Sequence, residues 1–257
     1  MGITMYHCEI LCDSTNPINV RLTTMRVTMP RIILAEFNTH RVFSRNAASS
    51  RAIPIARRIK QVRETPFIPS VFGANQKGMQ SGDPIHDQVN AIKEWRTAAT
   101  MACNQAERLQ ECGVHKQWAN RILEPFTWVT VIVSSTEWDN FFHLRISPLA
   151  QPEIREVAIK MKEALDGSTP KQLGWGMWHS PLSEDRQVAV GRLARVSYET
   201  ESKSEADDIL LCERLAKDGH WSPFEHVAQA RMSGPDASSR NFSDGWVQMR
   251  AMIDQGV

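Results

Sequence analysis

Thirteen consecutive residues, Thr39-His40-Arg41-Val42-Phe43-Ser44-Arg45-Asn46-Ala47-Ala48-Ser49-Ser50-Arg51, hold a histidine, three arginines, three serines and an asparagine. Arginine forks bind phosphate or carboxylate through paired donors, and serine hydroxyls with backbone NH groups complete an anion nest. A solvated basic turn explains arginines, but not hydroxyls interleaved with them. Two further arginines, Arg121 and Arg145, each follow apolar residues (Trp118 and Ala119; Phe141, Phe142 and Leu144), which predicts half-buried stems. A half-buried guanidinium needs an anionic partner. That partner is a carboxylate such as Glu124, Glu137 or Glu153, or a ligand phosphate or pyrimidine carbonyl; the residues alone leave both open. His220, Glu225 and His226 have metal-ligand chemistry, but no third ligand stands at a known zinc spacing. Ser44 has no base assigned to it, so a hydrogen-bonding role is expected.

These groups need elements to hold them. Alternation from Ile18 predicts a strand over about 19–28, and Pro30 then opens a helix that delivers 39–41 at its end. Residues 64–86, with three prolines and three glycines, predict a loop of functional length. Asp87 caps a long helix to about Cys112, ended by Gly113. A short helix from His115 to Leu123 is stopped by Pro125. Residues 126–134 form the clearest strand, followed by a helical turn from Glu137 to Leu144. A helix over 151–166 is closed by Gly167, and 168–186 reads as a connection. An apolar strip with arginines, 188–197, precedes a helix over 205–218 with Ser204 and Gly219 at its ends.

With 257 residues, 42% hydrophobic and 23% charged, the chain can bury a core as one large domain or two small ones. A net charge of +1 argues against a nucleic-acid polymer or a membrane surface as partner. The five cysteines form no CxxC pair and are odd in number, which fits free thiols in a cytoplasmic protein. No run is apolar enough to span a membrane. Eight tryptophans are enough for a core with one or two left to line a ring-binding cleft.

The thirteen-residue stretch resembles the signature of the flavin-dependent thymidylate synthases, Arg-His-Arg-x-x-Ser-x-Asn-Glu-x-Ser-x-Arg-Tyr. His40, Arg41, Ser44, Asn46, Ser49 and Arg51 match, while Thr39, Ala47 and Ala52 replace the family's Arg, Glu and Tyr. Residues 113–154 are similar to the family's second half, with Leu149 where many members carry a histidine near the flavin. Arg195-Val196-Ser197 and His220-Trp221-Ser222-Pro223-Phe224-Glu225-His226 resemble two of its flavin-binding motifs. Those two motifs usually precede the signature and here follow it, so the order reads as permuted.

The resemblance implies an α/β (α+β) fold, a central mostly antiparallel sheet flanked by helices. It implies one domain over 1–257, with a nucleotide part (1–186) and an FAD part (187–257). It places dUMP on Glu36, Ser49, Ser50, Arg51, Arg121 and Arg145, with Arg145 also catalytic. It places FAD on Thr39, His40, Arg41, Asn140, Ser197, His220, Ser222 and Glu225, and implies no metal. The implied reaction is reductive methylation of dUMP, with methylenetetrahydrofolate and NADPH as cosubstrates, in a homotetramer. Shared sites between subunits are also expected because the two motif regions lie far apart in the chain. Changes at Thr39, Ala47 and Leu149 keep open a hydroxymethylase of dUMP or dCMP on the same scaffold. A non-catalytic flavin- or nucleotide-binding module is the third alternative.

Overall fold

The computed structural model describes residues 5–202, 204–232 and 241–254. The chain opens with a hairpin of two long strands, β1 (His7–Thr15) and β2 (Arg21–Pro30). Asn16 makes the turn: its Oδ1 accepts from the backbone NH of Ile18 (3.1 Å) and Val20 (2.9 Å), which lets Asn19 take φ +60°. Pro30 closes β2 instead of opening an α-helix. It caps a single 3-10 turn, Arg31–Ile33, before the four-residue α1 (Leu34–Phe37). The signature itself then becomes a short strand, β3 (Ser44–Ala47).

Three helices follow: α2 (Ile55–Glu64), the 24-residue α3 (Gln88–Glu111) and α4 (Lys116–Ala119). The 64–86 stretch between α2 and α3 is a loop, with a lone bridge from Gly73 to Pro84. Asp87 caps α3 by accepting from the Asn90 NH at 2.9 Å. Pro125 does not stop the short helix. It lies inside a 3-10 segment, Asn120–Phe126, whose tighter turns avoid the α-helical clash of the proline ring. Strand β4 (Trp128–Ser135) therefore starts two residues later than the β-propensity predicts, and α5 (Asp139–Arg145) and α6 (Pro152–Asp166) follow. The 168–186 connection contains two minimal strands, β5 (Lys171–Gln172) and β6 (Trp178–His179). The apolar-arginine strip is a helix, α7 (Arg186–Arg195), capped by Asp185. It pairs with α8 (Glu205–Lys217), and β7 (Ala228–Ala230), β8 (Trp246–Gln248) and α9 (Met249–Asp254) complete the chain.

The main sheet has the order β3-β4-β2-β1-β5 and is antiparallel except for the β1–β5 pair; β6-β7-β8 form a second, antiparallel sheet. This is the mixed, mostly antiparallel architecture that the resemblance implies. Strand β4 shows why the two faces differ. Val129, Val131 and Val133 face a core shared with Trp138, Phe141 and helix α6, whereas Ile132 faces a core shared with α7 and α8. Among the described residues no helix is long and apolar enough to cross a membrane.

On the second face, Ser44, Ser134, Thr24 and Cys12 stand in register across four strands. The small sheet, with His179 and Gln248, and the turn before β7, with His226, cover this polar row, and all three side chains are fully buried. A hydrogen-bond chain runs from Ser14 to His179 (3.0 Å), Thr24 (2.8 Å), Ser134 (2.6 Å) and His226 (2.8 Å). Burial pushes both imidazoles down to about 3 from an ordinary 6.5, with Asp13 slightly opposing this at His179 and the His179 ring adding to it at His226. Both rings are neutral in the folded chain and take up protons on unfolding. Stability from this layer is complete above pH ~6.5 and falls as pH drops towards 3, by about 1.4 kcal/mol per pH unit for each histidine. Thermal unfolding followed by circular dichroism should therefore show a falling midpoint between pH 6.5 and 5. A midpoint flat over that range would contradict a neutral buried pair.

Candidate active site

The signature strand is the point where the last third of the chain attaches. The Asn46 side chain is buried, and its Nδ2 donates to the Leu193 carbonyl on α7 at 2.8 Å. Its Oδ1 accepts from Ser197 Oγ at 2.9 Å and from Ser222 Oγ at 3.4 Å. The Ser49 NH adds a bond to the Ser197 carbonyl at 3.0 Å. Two residues before Asn46 on the same strand, Ser44 Oγ accepts from Gln248 Nε2 (2.7 Å), which also donates to the Glu225 carbonyl (2.8 Å). Glu225 is also ion-paired with Arg250. Ser197, Ser222 and Glu225 thus reach the signature within one chain, so sequence separation gives no reason for a second subunit to bridge them.

A second cluster forms where α1 ends and α5 ends. Arg145 Nε donates to His40 Nε2 at 3.0 Å, and Arg145 Nη2 reaches Thr39 Oγ1 at 3.4 Å. Thr39 in turn donates to the Glu36 carbonyl at 2.6 Å. A guanidinium only donates, so His40 Nε2 is bare and the ring is a neutral imidazole with its proton on Nδ1. Burial, then Arg145 and Arg45, lowers the His40 pKa and keeps it neutral. The ring stands edge-on to Phe141 at 4.9 Å, and Arg45 donates to the His40 carbonyl at 2.7 Å. Glu225 is close enough to Arg45 to stabilise its charge, which links this cluster to the last third. Arg41 and Asn140 are exposed at its edge, and Arg41 makes no ion pair among the described residues. The partly buried stem expected of Arg145 is present. Its partners are His40 and Thr39, not Glu137 or Glu153.

The third cluster lines a cleft of about 510 Å³ between residues 31–38 and 121–125. Here Glu124 Oε1 accepts from Ser50 Oγ (2.6 Å) and pairs with Arg31 Nε (3.0 Å) and Arg121 Nη1 (3.4 Å). Arg121 departs from the expected buried stem: its side chain is 53% exposed, because the 3-10 segment turns it outward. Asn120 takes the buried position instead and ties down the loop through Ser50 O (2.7 Å) and Ile53 O (2.9 Å). Arg51 is exposed beside Ser49, whose Oγ accepts from the Arg51 NH at 3.3 Å. Glu36, on the helix between the two clusters, has a buried Oε2 with no hydrogen-bond partner. His220 is exposed after α8 and makes no side-chain hydrogen bond to the other candidate residues. Arg31, Asn120 and Gln248 escape sequence reading. Glu124 was legible only as a possible partner of Arg121, three residues before it.

A mostly antiparallel sheet carries an arginine-rich cleft and a half-buried arginine–histidine corner around one edge strand, an arrangement with the donors to bind an anion. The sequence matches the model of the thymidylate synthase complementing protein family, Thy1, over residues 13–171. That is more than half of the chain, and the chain belongs to this family. The matched part ends before α7, so the last third lies outside it. No curated protein matches. Among solved structures, the UMP/dUMP methylase PolB from Streptomyces cacaoi bound with 5-Br UMP aligns with TM-score 0.50 and 18% identity, over 62% of this chain and 88% of that one. The same enzyme bound with 5-Br dUMP aligns with TM-score 0.49 and 15% identity, over 62% and 89%. At 18% identity the first of these likenesses is one of fold.

The Asn46 joint is directly testable. Asn46→Ala leaves the buried Leu193 carbonyl and two serine hydroxyls without their partner, and should cost about 3 kcal/mol in urea unfolding. Limited proteolysis of the variant should cut first near 196–204. A loss under about 1 kcal/mol would show that the joint is not what holds the last third in place.

Proposed function

We propose that this protein is a flavin-dependent thymidylate synthase, converting dUMP to dTMP with methylenetetrahydrofolate as carbon donor. The observation that carries this reading is that Asn46 brings Ser197 and Ser222 onto the signature strand, whose preceding turn holds His40 against Arg145. Two separated sets of motif residues thereby share one edge of the sheet. The donor set fits an anionic ring cofactor such as FAD: Arg41 is exposed and unpaired among the described residues, Asn140 is exposed on α5, and Arg145 has donors beyond its two bonds. Ser197 and Ser222 already donate to Asn46, so toward FAD they offer lone pairs alone. Thr39, His40, Arg41, Asn140, Ser197, His220, Ser222 and Glu225 are the residues assigned to it. Reduced by NADPH, the bound flavin would supply the hydride that completes the new methyl group.

The side chains have three tasks. Ser49, Ser50, Arg51 and Arg121 hold the nucleotide phosphate through charge-assisted bonds. Arg145, fixed by neutral His40 and by Thr39, faces the pyrimidine and stabilises negative charge on its carbonyls as the ring N–H gives up its proton, the form in which C5 is the stronger nucleophile. Glu36 offers an unpaired carboxylate oxygen to a ring N–H. The sheet and helices keep these groups pre-oriented, so no side-chain nucleophile is needed. The chain works as one domain, its 1–186 part binding nucleotide and its 187–257 part completing the flavin site. A second reading, a hydroxymethylase of dUMP or dCMP, is favoured by Thr39, where a short hydroxyl holds Arg145 at the corner in place of a third cation. We also assign a homotetramer, for which the outer face of α3, with Val89 and Met101 exposed, supplies contact surface.

One assay tests these statements together. Fractions of known mass, read by light scattering, should release tritium from [5-³H]dUMP when given FAD, NADPH and methylenetetrahydrofolate. Activity should reside in the tetramer, and mass spectrometry of the product separates methyl from hydroxymethyl. Arg145→Ala should weaken dUMP binding about tenfold or more while flavin content is kept. No tritium release from either dUMP or the corresponding labelled dCMP would exclude both enzymatic readings. Release by the 29.1 kDa monomer would exclude the tetramer requirement.

A further inference from the structure

Ser50 and Arg121, two of the residues assigned to the phosphate, are already held by a carboxylate of the same chain. A single oxygen, Glu124 Oε1, collects Ser50 Oγ at 2.6 Å, Arg31 Nε at 3.0 Å and Arg121 Nη1 at 3.4 Å. This is the geometry of an anionic oxygen bound by a hydroxyl and two guanidinium groups, and it lies in the wall of the 510 Å³ cleft. We infer that Glu124 is an internal competitor for the anion site: it occupies the focus of the donors that an external phosphate requires. The inference rests on the nucleotide reading above for the identity of the ligand, but not for the anion site itself.

Charge gives the consequence. Arg31 and Arg121 bring two positive charges, and Glu124 cancels one of them. A phosphate monoester carries about −1.5 to −2 at neutral pH, so with Glu124 in place these two arginines offer it a net charge of only +1, and Arg51 is the one assigned cation that Glu124 does not engage. A tightly bound dianion requires the Glu124 carboxylate to leave the focus. The side chain can do so, since Glu124 is 24% and Arg121 53% exposed, whereas Arg31, at 13%, stays behind as the fixed cation. Arg31 is further tethered by its Nη1 bond to the Ala48 carbonyl at 3.3 Å. Glu124 therefore pre-orders Ser50 and Arg121 and at the same time lowers affinity for phosphate, a device that sets the strength of binding and favours release.

The opposing account is a purely structural ion pair, in which Glu124 only holds its three partners in position. Calorimetric titration of the full chain with inorganic phosphate, dUMP and deoxyuridine separates the two. On the competitor account, Glu124→Gln keeps an acceptor for Ser50 but removes the charge. It should bind phosphate and dUMP about tenfold more tightly, leave deoxyuridine unchanged, and lose part of the gain at high salt. Glu124→Met, of similar length, should change affinity in the same direction and guards against a folding defect specific to one variant. Unchanged or weaker phosphate binding in both variants would overturn the inference. So would equal tightening of deoxyuridine, or the absence of any phosphate binding in all three proteins. If phosphate binds more tightly to the variants but no protein binds dUMP, the nucleotide reading fails and the Glu124 assignment stands.

Discussion

The arrangement of this molecule depends on the side chain of Asn46. It is buried in the signature strand and uses one donor and one doubly accepting oxygen to hold Leu193, Ser197 and Ser222. A carboxamide can do this because it carries both functions in one plane; an aspartate lacks the donor and a leucine lacks both. Without that joint, the outer edge of β3, the last strand of the sheet, would meet α7 through apolar contact and the single Ser49–Ser197 backbone bond. Apolar contact is not directional, whereas three hydrogen bonds to one side chain fix a register. The buried polar row behind it, with His179, His226 and Gln248 on Ser14, Thr24, Ser134 and Ser44, fixes the small sheet by the same means.

Much of this was legible from local sequence rules. The Asp87 cap, the Gly113 stop, the amphipathic α6 and the apolar β4 follow from spacing and end signals that need no tertiary information. The signature pointed to the correct family because six side chains recur in fixed register. What sequence could not show were outcomes of competition between local and distant forces. Residues 44–47 look like a polar turn, yet become a strand because β4 offers an open edge in register. Residues 188–197 carry β-branched valines, yet form a helix because Asp185 caps them and Gly191 lets the Asp208 backbone approach closely. Arg121 was expected to be buried; a 3-10 segment rotates it outward and puts Asn120 inside. None of these pairings is encoded by nearest neighbours.

The site residues were legible as types more than as partners. Reading Arg145 as half-buried was correct, but its partner is a histidine and not an acid. That has chemical weight, because a neutral imidazole leaves the guanidinium charge uncompensated and available to an electron-rich ring. In the cleft the reverse holds: Glu124 compensates Arg31 and Arg121 with a charge of the chain itself. The two arginine clusters therefore sit in opposite electrostatic states, one open and one internally satisfied. On the proposed reading, that contrast separates the group that stabilises developing charge from the groups that grip a fixed one.

The central claim is that the signature and the last third form one site within one chain. Hydrogen exchange read by mass spectrometry tests it most directly, because each segment reports separately. On adding FAD to the full chain, peptides covering 39–51 and peptides covering 195–226 should both slow, with the same dependence on FAD concentration. Slowing confined to one of the two segments, or slowing at two distinct concentrations, would contradict a shared site.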